Sequence, residues 1–296
     1  MSRIFLYTFL PVNCIINTGD IMKYKMVVLD LDGTLLDDEK QISEKNTEIL
    51  TYLHKNNIET VIATGRNYYM AKMLTDKIKD IQPVILANNG AIIRRSHNDE
   101  LIEYNYLNFS EFEKIYNKGL KFNLNPVLHV DEYFNGYDLV YECEDCEEAY
   151  YGYIKKDYNR ARLMKFKPGI NNILSICYFD EYDKLCLLGN AMEKKGKGRF
   201  NIIYNRNIGR RSLLEFLHPD GCKWSALKKY ASRLNIAAEE IIAIGDDNND
   251  IELLRNSGLG IAMKNGTAES MKAAKEVSAY DNNNSGVYYA LSEIFN

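Results

Sequence analysis

Residues 27–36 read VVLDLDGTLL, and these ten residues restrict the chain to a small set of folds. A β-branched apolar run suits a strand buried on both faces of a parallel sheet. Two aspartates one residue apart end this run, and the glycine after them frees the backbone to turn away. In open α/β sheets, ligands collect in the crevice beyond the carboxyl ends of the strands. Asp30 and Asp32 belong at such a crevice, and as positions i and i+2 of an extended segment they point to one side of it. An acidic turn after an ordinary strand would read the same way.

Three further segments add to the pattern. Residues 58–66 read IETVIATGR, a second short apolar run, which ends in a hydroxyl (Thr64), a flexible backbone (Gly65) and a guanidinium (Arg66), groups suited to a phosphate. Residues 241–250 read IIAIGDDNND, a third run that delivers Asp246, Asp247 and Asp250. Between them, residues 221–227 read GCKWSAL and place Lys223 just ahead of a helix expected to run through Leu234. Strand-helix alternation over 23–90 and again over 210–296 predicts an α/β fold with a doubly wound, Rossmann-like parallel sheet. Helices are expected at 43–56, 224–234 and 250–257, each following a strand or a capping residue. A helix at 110–122 and strands at 173–179 and 200–204 are expected in the stretch between. At 296 residues the chain is long enough for two domains, because single cores stop growing near 250 to 300 residues.

In that order, DxDGT, TGR, a lone lysine ahead of a helix and GDxxND resemble the motifs of the haloacid dehalogenase-like phosphatases, and within them the Cof-type branch. PVILANNGAII at 83–93 and LGIAMKNG at 259–266 are similar to that branch as well. The resemblance implies a core built from 22–92 and 208–296, with an inserted α/β cap at 93–207 that covers the crevice and selects the substrate. It implies that Asp30 is a nucleophile forming an aspartyl-phosphate, and that Asp32 is an acid and then a base. It implies Mg²⁺ held by the Asp30 carboxylate, the Asp32 main-chain carbonyl and Asp246. Lys223 and Thr64 would contact the phosphoryl group, Asn249 the substrate side, and Asp250 would support the metal and the lysine. Gly65, Arg66, Asn89 and Gly90 match positions at the substrate entrance. Asp247 falls at a variable position and is read as a solvated turn residue. Trp224 stands where the branch commonly has glycine.

The chemistry makes such convergence necessary. A carboxylate attacking a phosphate dianion meets repulsion of roughly 8 kcal/mol at about 4 Å and an effective dielectric near 20. The expected activity is Mg²⁺-dependent hydrolysis of small phosphorylated metabolites. A phosphomutase can share Asp30, Asp32 and the metal, and a phosphometabolite-binding regulator can share the fold without turnover.

A net charge of -4, with 37 basic residues spread among 41 acidic ones, argues against a nucleic-acid binder. Six cysteines do not make a disulfide framework in a chain of this size, and no long apolar span points to a membrane. The expectation is a cytoplasmic monomer or small homo-oligomer. Residues 4–12, IFLYTFLPV, are apolar behind one arginine, but no small-residue cleavage site precedes Asp20. Gly19 and Asp20 can be encoded as GGAGAT, similar to a bacterial ribosome-binding site, so residues 1–21 are read as an extension ahead of a start at Met22. Cys143 and Cys146 lie in an acidic run, 142–148, read as a solvated face rather than a zinc site. Tyr150, Tyr151, Tyr153 and Tyr158 are read as packing or surface residues. His54, His97, His129 and His218 are scattered, and none is assigned a role.

Overall fold

The computed structural model of the protein describes residues 23–78, 81–143, 150, 153–154, 159–166, 170–194, 198–208 and 211–295. The proposed extension, Cys146, the acidic residues at 144–148, Tyr151 and Tyr158 lie outside the described residues. Two sheets organise the described residues, and the chain leaves the first for the second and then returns.

The first sheet begins with β1 (Met26–Leu29), whose four residues are all buried. Its alternation explains why: Val27 and Leu29 pack on one side with Leu50, Leu53 and Val287, while Met26 and Val28 pack on the other with Ala226, Leu227 and Tyr230. A strand covered on both faces needs apolar side chains at every position. α1 (Glu44–Lys55) starts at Ser43, whose side chain accepts from the Asn46 N–H, the usual way to satisfy an orphan helical donor. β2 (Glu59–Ala63), α2 (Tyr68–Thr75, capped by Asn67) and β3 (Val84–Ala87) continue the right-hand half. β4 (Ile92–Arg95) and β5 (Leu101–Tyr104) then extend the same sheet antiparallel.

The second sheet follows. α3 (Phe109–Leu120), which opens with a capping box on Asn108, precedes β6 (Val127–Glu132), β7 (Tyr137–Tyr141), β8 (Ala161–Leu163) and β9 (Ile173–Asp180). α4 (Tyr182–Glu193), β10 (Asn201–Ile208) and β11 (Arg211–Leu217) complete it. The strand order is β10-β11-β9-β6-β7-β8. One face carries α3 and α4 over Leu128, Ile176, Tyr178, Leu214 and Phe216.

The chain then returns to the first sheet through α5 (Lys223–Arg233), β12 (Ile241–Gly245), α6 (Ile251–Asn256), β13 (Leu259–Ala262), α7 (Ala268–Ala273), β14 (Glu276–Val277) and α8 (Gly286–Phe295). Its order is β14-β13-β12-β1-β2-β3-β4-β5, and the strands from β14 to β3 run parallel. Successive strands leave β1 in one direction and return beside it at β12, so the order switches between them. A doubly wound sheet opens its ligand crevice at such a switch.

By sheet membership the crossings fall elsewhere than the expected 92 and 207. β4 and β5 hydrogen-bond to the first sheet, and β11 belongs to the second. The antiparallel hairpin at 92–104 uses the free edge of β3, which the motif order could not reveal. Lys223 also sits differently, as the first residue of α5 rather than ahead of it.

Candidate active site

The carboxyl ends of β1 and β12 lie side by side, with the Asp30 N–H donating to the Ile244 carbonyl at 3.0 Å. This pairing brings the two acidic strand ends together. Gly33 then turns the chain with φ +78°, and a Cβ there would stand 2.3 Å from Asp246 Oδ2. Glycine is required twice over, for the left-handed backbone and for the close approach. Thr34 Oγ1 donates to Asp246 Oδ1 at 3.0 Å and fixes that carboxylate.

Lys223 arrives from α5, which starts with the Cys222 sulfur accepting from the Ser225 N–H. Gly90 (φ +98°) lets the α5 terminus approach, since a Cβ at that position would lie 2.5 Å from the Cys222 carbonyl oxygen. The ammonium is almost wholly buried and donates to Asp30 Oδ1 at 2.6 Å and to Asp250 Oδ1 at 2.7 Å. The other Asp250 oxygen accepts from the backbone N–H groups of Asp246 and Asp247 at 3.2 and 3.3 Å. Asp250 is thereby fully satisfied, and it orients both the lysine and the loop that carries Asp246.

Asp30, Asp246 and Asp250 each present an oxygen within 4.8 Å of the others. Burial pushes the Asp30 carboxyl well above its usual range, and the charges of Asp250 and Asp246 add to this against the pull of Lys223. Burial, with Asp250 beside it, pushes Asp246 up to about 7. Three crowded carboxylates with one ammonium among them leave an excess of negative charge. A divalent cation with oxygen ligands offsets that excess, and an all-oxygen donor set suits magnesium, calcium or manganese rather than zinc. The residues present fit such an ion.

Asp32 faces a different environment. Arg66 grips it with two bonds, Nε to Oδ2 at 2.6 Å and Nη2 to Oδ1 at 2.7 Å, and Lys40 Nζ adds a third at 2.8 Å. Burial favours the neutral acid here too, but the hydrogen bonds from Arg66 and Lys40 outweigh it and hold Asp32 at about 2. The carboxylate is ionised at neutral pH in this arrangement. Proton transfer by this carboxyl would require the two cations to release it first.

Thr64 is buried one strand over, at the end of β2; its hydroxyl accepts from the Arg66 N–H at 3.1 Å. Its carbonyl accepts from the Asn89 N–H at 3.0 Å, which places the turn at 88–90 directly behind the TGR loop. Gly65 gives Asn89 room, since a Cβ would come 3.2 Å from Asn89 Oδ1. Asn249 Nδ2 donates to that same Asn89 oxygen at 3.0 Å. Asp247 is exposed and caps the short turn at 248–250, as a turn residue would. Trp224 is half-buried against the core that contains Ala226 and Tyr230.

Several residues escaped the sequence reading. Lys40, eight positions beyond Asp32, looks in sequence like any surface charge. Thr34 lies inside DxDGT, but its partner is 212 residues away. His129, given no role, is buried between Asn88 and Tyr153 at 2.9 and 2.8 Å. Glu215 is buried with Asn89 Nδ2 donating to it at 2.8 Å. Signals for the last two existed: a histidine in the apolar run VLHV and a carboxylate in SLLEFL.

Comparison with known proteins places these features in a group. The family model described as haloacid dehalogenase-like hydrolase matches residues 27–291. Among curated relatives, a Bacillus subtilis protein named phosphatase YwpJ is 26% identical over 297 residues, covering 91% of this chain and 99% of its own. Another Bacillus subtilis protein, named 5-amino-6-(5-phospho-D-ribitylamino)uracil phosphatase YwtE, is 28% identical over 284 residues, covering 91% and 98%. Among solved structures, a haloacid dehalogenase-like hydrolase from Bacteroides thetaiotaomicron superposes with a TM-score of 0.76 at 25% identity, over 92% of this chain and 100% of that one. A Thermotoga maritima protein shares the fold with a TM-score of 0.74 at 24% identity, over 91% and 97%.

Proposed function

The chain belongs to the haloacid dehalogenase-like hydrolase family and is a phosphatase of that group, and from this premise we propose that it hydrolyses small phosphorylated metabolites with Mg²⁺, through an aspartyl-phosphate on Asp30. The observation that carries the proposal is the buried Lys223, bonded to both Asp30 and Asp250 beside an unneutralised Asp246. A binding module has no need to bury a nucleophile against a fixed ammonium at the edge of a carboxylate cluster.

Asp30 and Asp246, with the main-chain carbonyl of Asp32, would hold the metal. When bound, the ion supplies positive charge against the repulsion between carboxylate and phosphate dianion. Asp30 attacks phosphorus as the bond to the leaving oxygen breaks, and Asp32, protonated from solvent once Arg66 and Lys40 have turned to the phosphate, passes that proton to the oxygen. Asp32 next removes a proton from water, which attacks the phosphorus of the aspartyl-phosphate and frees both Asp30 and inorganic phosphate. Lys223 and Thr64 steady the phosphoryl oxygens, where charge develops. Arg66 and Asn249 lie on the leaving-group side. The insertion built on β6 to β11 serves as the cap, and closing it over the crevice excludes water. Among the described residues no helix is long and apolar enough to cross a membrane.

Phosphate release from a panel of phosphomonoesters, with and without Mg²⁺, tests the proposal. Release by the wild-type protein should vanish with chelator and in Asp30→Asn. Persistence in either case refutes the mechanism, and interconversion of sugar phosphates without release identifies a mutase.

A further inference from the structure

The chain passes between the two sheets twice, and the two passages lie against each other. The outgoing one leaves β5 at Asn105 and meets the second sheet at Leu107, whose N–H donates to the Ile173 carbonyl at 2.8 Å. The returning one leaves β11 after Leu217 and reaches Lys223, the first residue of α5, through residues 218–222. Movement of the second sheet is therefore delivered within a few residues of the buried ammonium. A reaction that relies on a fixed ammonium needs that movement stopped short of it.

Asn105 joins the two passages. Its side chain is buried, and Nδ2 donates to the Gly90 carbonyl at 3.0 Å and, over a longer 3.4 Å, to the Asp220 carbonyl. Oδ1 accepts from Lys229 Nζ at 3.1 Å, and the same ammonium reaches Asp220 Oδ2 at 3.0 Å. The Asn105 N–H donates to the Ala91 carbonyl at 2.8 Å. An ammonium only donates, so the amide oxygen must face Lys229 and the nitrogen must face the two carbonyls. Donor and acceptor are both in use, as a buried amide requires.

Each of these contacts bears on Lys223. Gly90 packs so closely on the start of α5 that a Cβ there would lie 2.7 Å from the Cys222 carbonyl carbon and 3.1 Å from the Lys223 nitrogen. Holding the Gly90 peptide therefore holds the seat of the lysine. Lys229 belongs to α5 itself. Along the returning passage, the carbonyl after that of Asp220 belongs to Gly221 and accepts from Asn201 Nδ2 at 2.7 Å. Asn201 opens β10 in the second sheet. Adjacent carbonyls are thus held from opposite sides, Asp220 by the residue that follows β5 and Gly221 by the second sheet.

We infer that Asn105 is a positioning residue for Lys223: it ties the returning passage to the turn at 88–90 and to α5, so that the ammonium keeps its place while the second sheet moves. What Lys223 contacts in the reaction rests on the phosphatase reading. Asn105 touches no reacting atom and acts through the lysine alone. A misplacement of about 1 Å at a reacting centre can cost on the order of 10²-fold in rate, so a tie of this kind is felt in the chemical step.

Orthovanadate, which mimics the phosphoryl group in transit, tests the place of the ammonium without turnover. Its affinity in magnesium buffer, measured by calorimetry, should fall at least about tenfold in Asn105→Asp. That substitution keeps the volume and the contact with Lys229, but turns an acceptor toward the carbonyls of Gly90 and Asp220. With p-nitrophenyl phosphate as substrate, kcat should fall by a similar factor while KM changes less than about twofold, the mark of an interaction lost in the transition state. Lys229→Met cuts one tie at a partly exposed site and should move vanadate affinity and kcat the same way by about threefold. If Asn105→Asp fails to fold in thermal melting, Lys229→Met decides alone. Unchanged vanadate affinity in both variants overturns the inference, as does a wild-type protein that binds no vanadate. Fewer vanadate sites per chain at wild-type affinity also overturns it, because the variant has then lost folded molecules rather than moved an ammonium. The phosphatase reading fails separately. If Asn105→Asp weakens vanadate but the wild type releases no phosphate from p-nitrophenyl phosphate or other phosphomonoesters, the positioning stands and the hydrolysis falls.

Discussion

Two buried polar clusters sit a few residues apart in this protein, and they are built on opposite principles. Asp30, Lys223, Asp246 and Asp250 all come from one sheet and its helices, are ionic, and are locked to backbone amides and to one another. Asn88, Asn89, His129 and Glu215 come from two sheets and meet only where those sheets touch. The first cluster has more charge than its own residues can neutralise, the second fewer partners than its own residues require. Excess charge invites an ion, whereas the second cluster leaves a single buried acceptor, Asn88 Oδ1, unmatched among the described residues. The contrast separates a cluster built within one sheet from a cluster built where two sheets meet.

Four measurements can break or sharpen that contrast. Asp30→Asn should lower phosphate release by on the order of 10⁴-fold or more, since losing a nucleophile removes the covalent route; steady-state kinetics with purified protein shows it. Lys223→Met leaves Asp30 and Asp250 buried without their cation and should cost about 3 to 5 kcal/mol, the range for a broken buried pair. Urea denaturation measures this, and a loss below 1 kcal/mol would mean the first cluster is not held by its charges. His129 tests the second cluster through pH. Its ring titrates near 6.5 when unfolded and at about 4 when folded, so between those values the unfolded chain holds a proton that the folded chain lacks. Stability from this group is complete above pH 6.5 and is lost as pH falls toward 4, by about 3 kcal/mol in all. His129→Asn should flatten that part of the stability–pH curve, and an unchanged slope would show that the imidazole is open to solvent. Lys40→Met is the smallest effect. Its contact with Asp32 is half-exposed and should change stability by less than about 1 kcal/mol, visible as at most a slight shift in urea midpoint.

The two clusters also differ in how legible they are from sequence. Asp30, Lys223, Asp246 and Asp250 are evident because each lies at the end of an apolar run or at the start of a helix, where local patterning fixes its position. The strands and helices around them follow the same periodicities, which is why α1, α3, α5 and β9 fall within a residue or two of expectation. The crossing points between sheets do not, because β4, β5 and β11 are assigned by edge pairing over distances that no local window contains. His129 and Glu215 show only as polar residues in apolar strands, and nothing in the chain says what they meet. Lys40 has φ +59° and reaches Asp32 only because the turn after DxDGT doubles back. Geometry at that scale comes from the folded molecule.

The seating of β1 has a consequence for how the protein is made. Met26 to Leu29 pair on one side with Glu59 to Ile62, but on the other with Ile241 to Ile244. At about 5 to 20 residues per second, a ribosome that has just released the first of these strands needs roughly 10 to 40 s to supply its second neighbour. Throughout that interval a strand that is buried at every position in the folded protein has an open edge. The sequence made meanwhile includes the whole of the second sheet, whose described strands pair only among themselves. The second sheet is therefore free to fold while the first still waits for its other half.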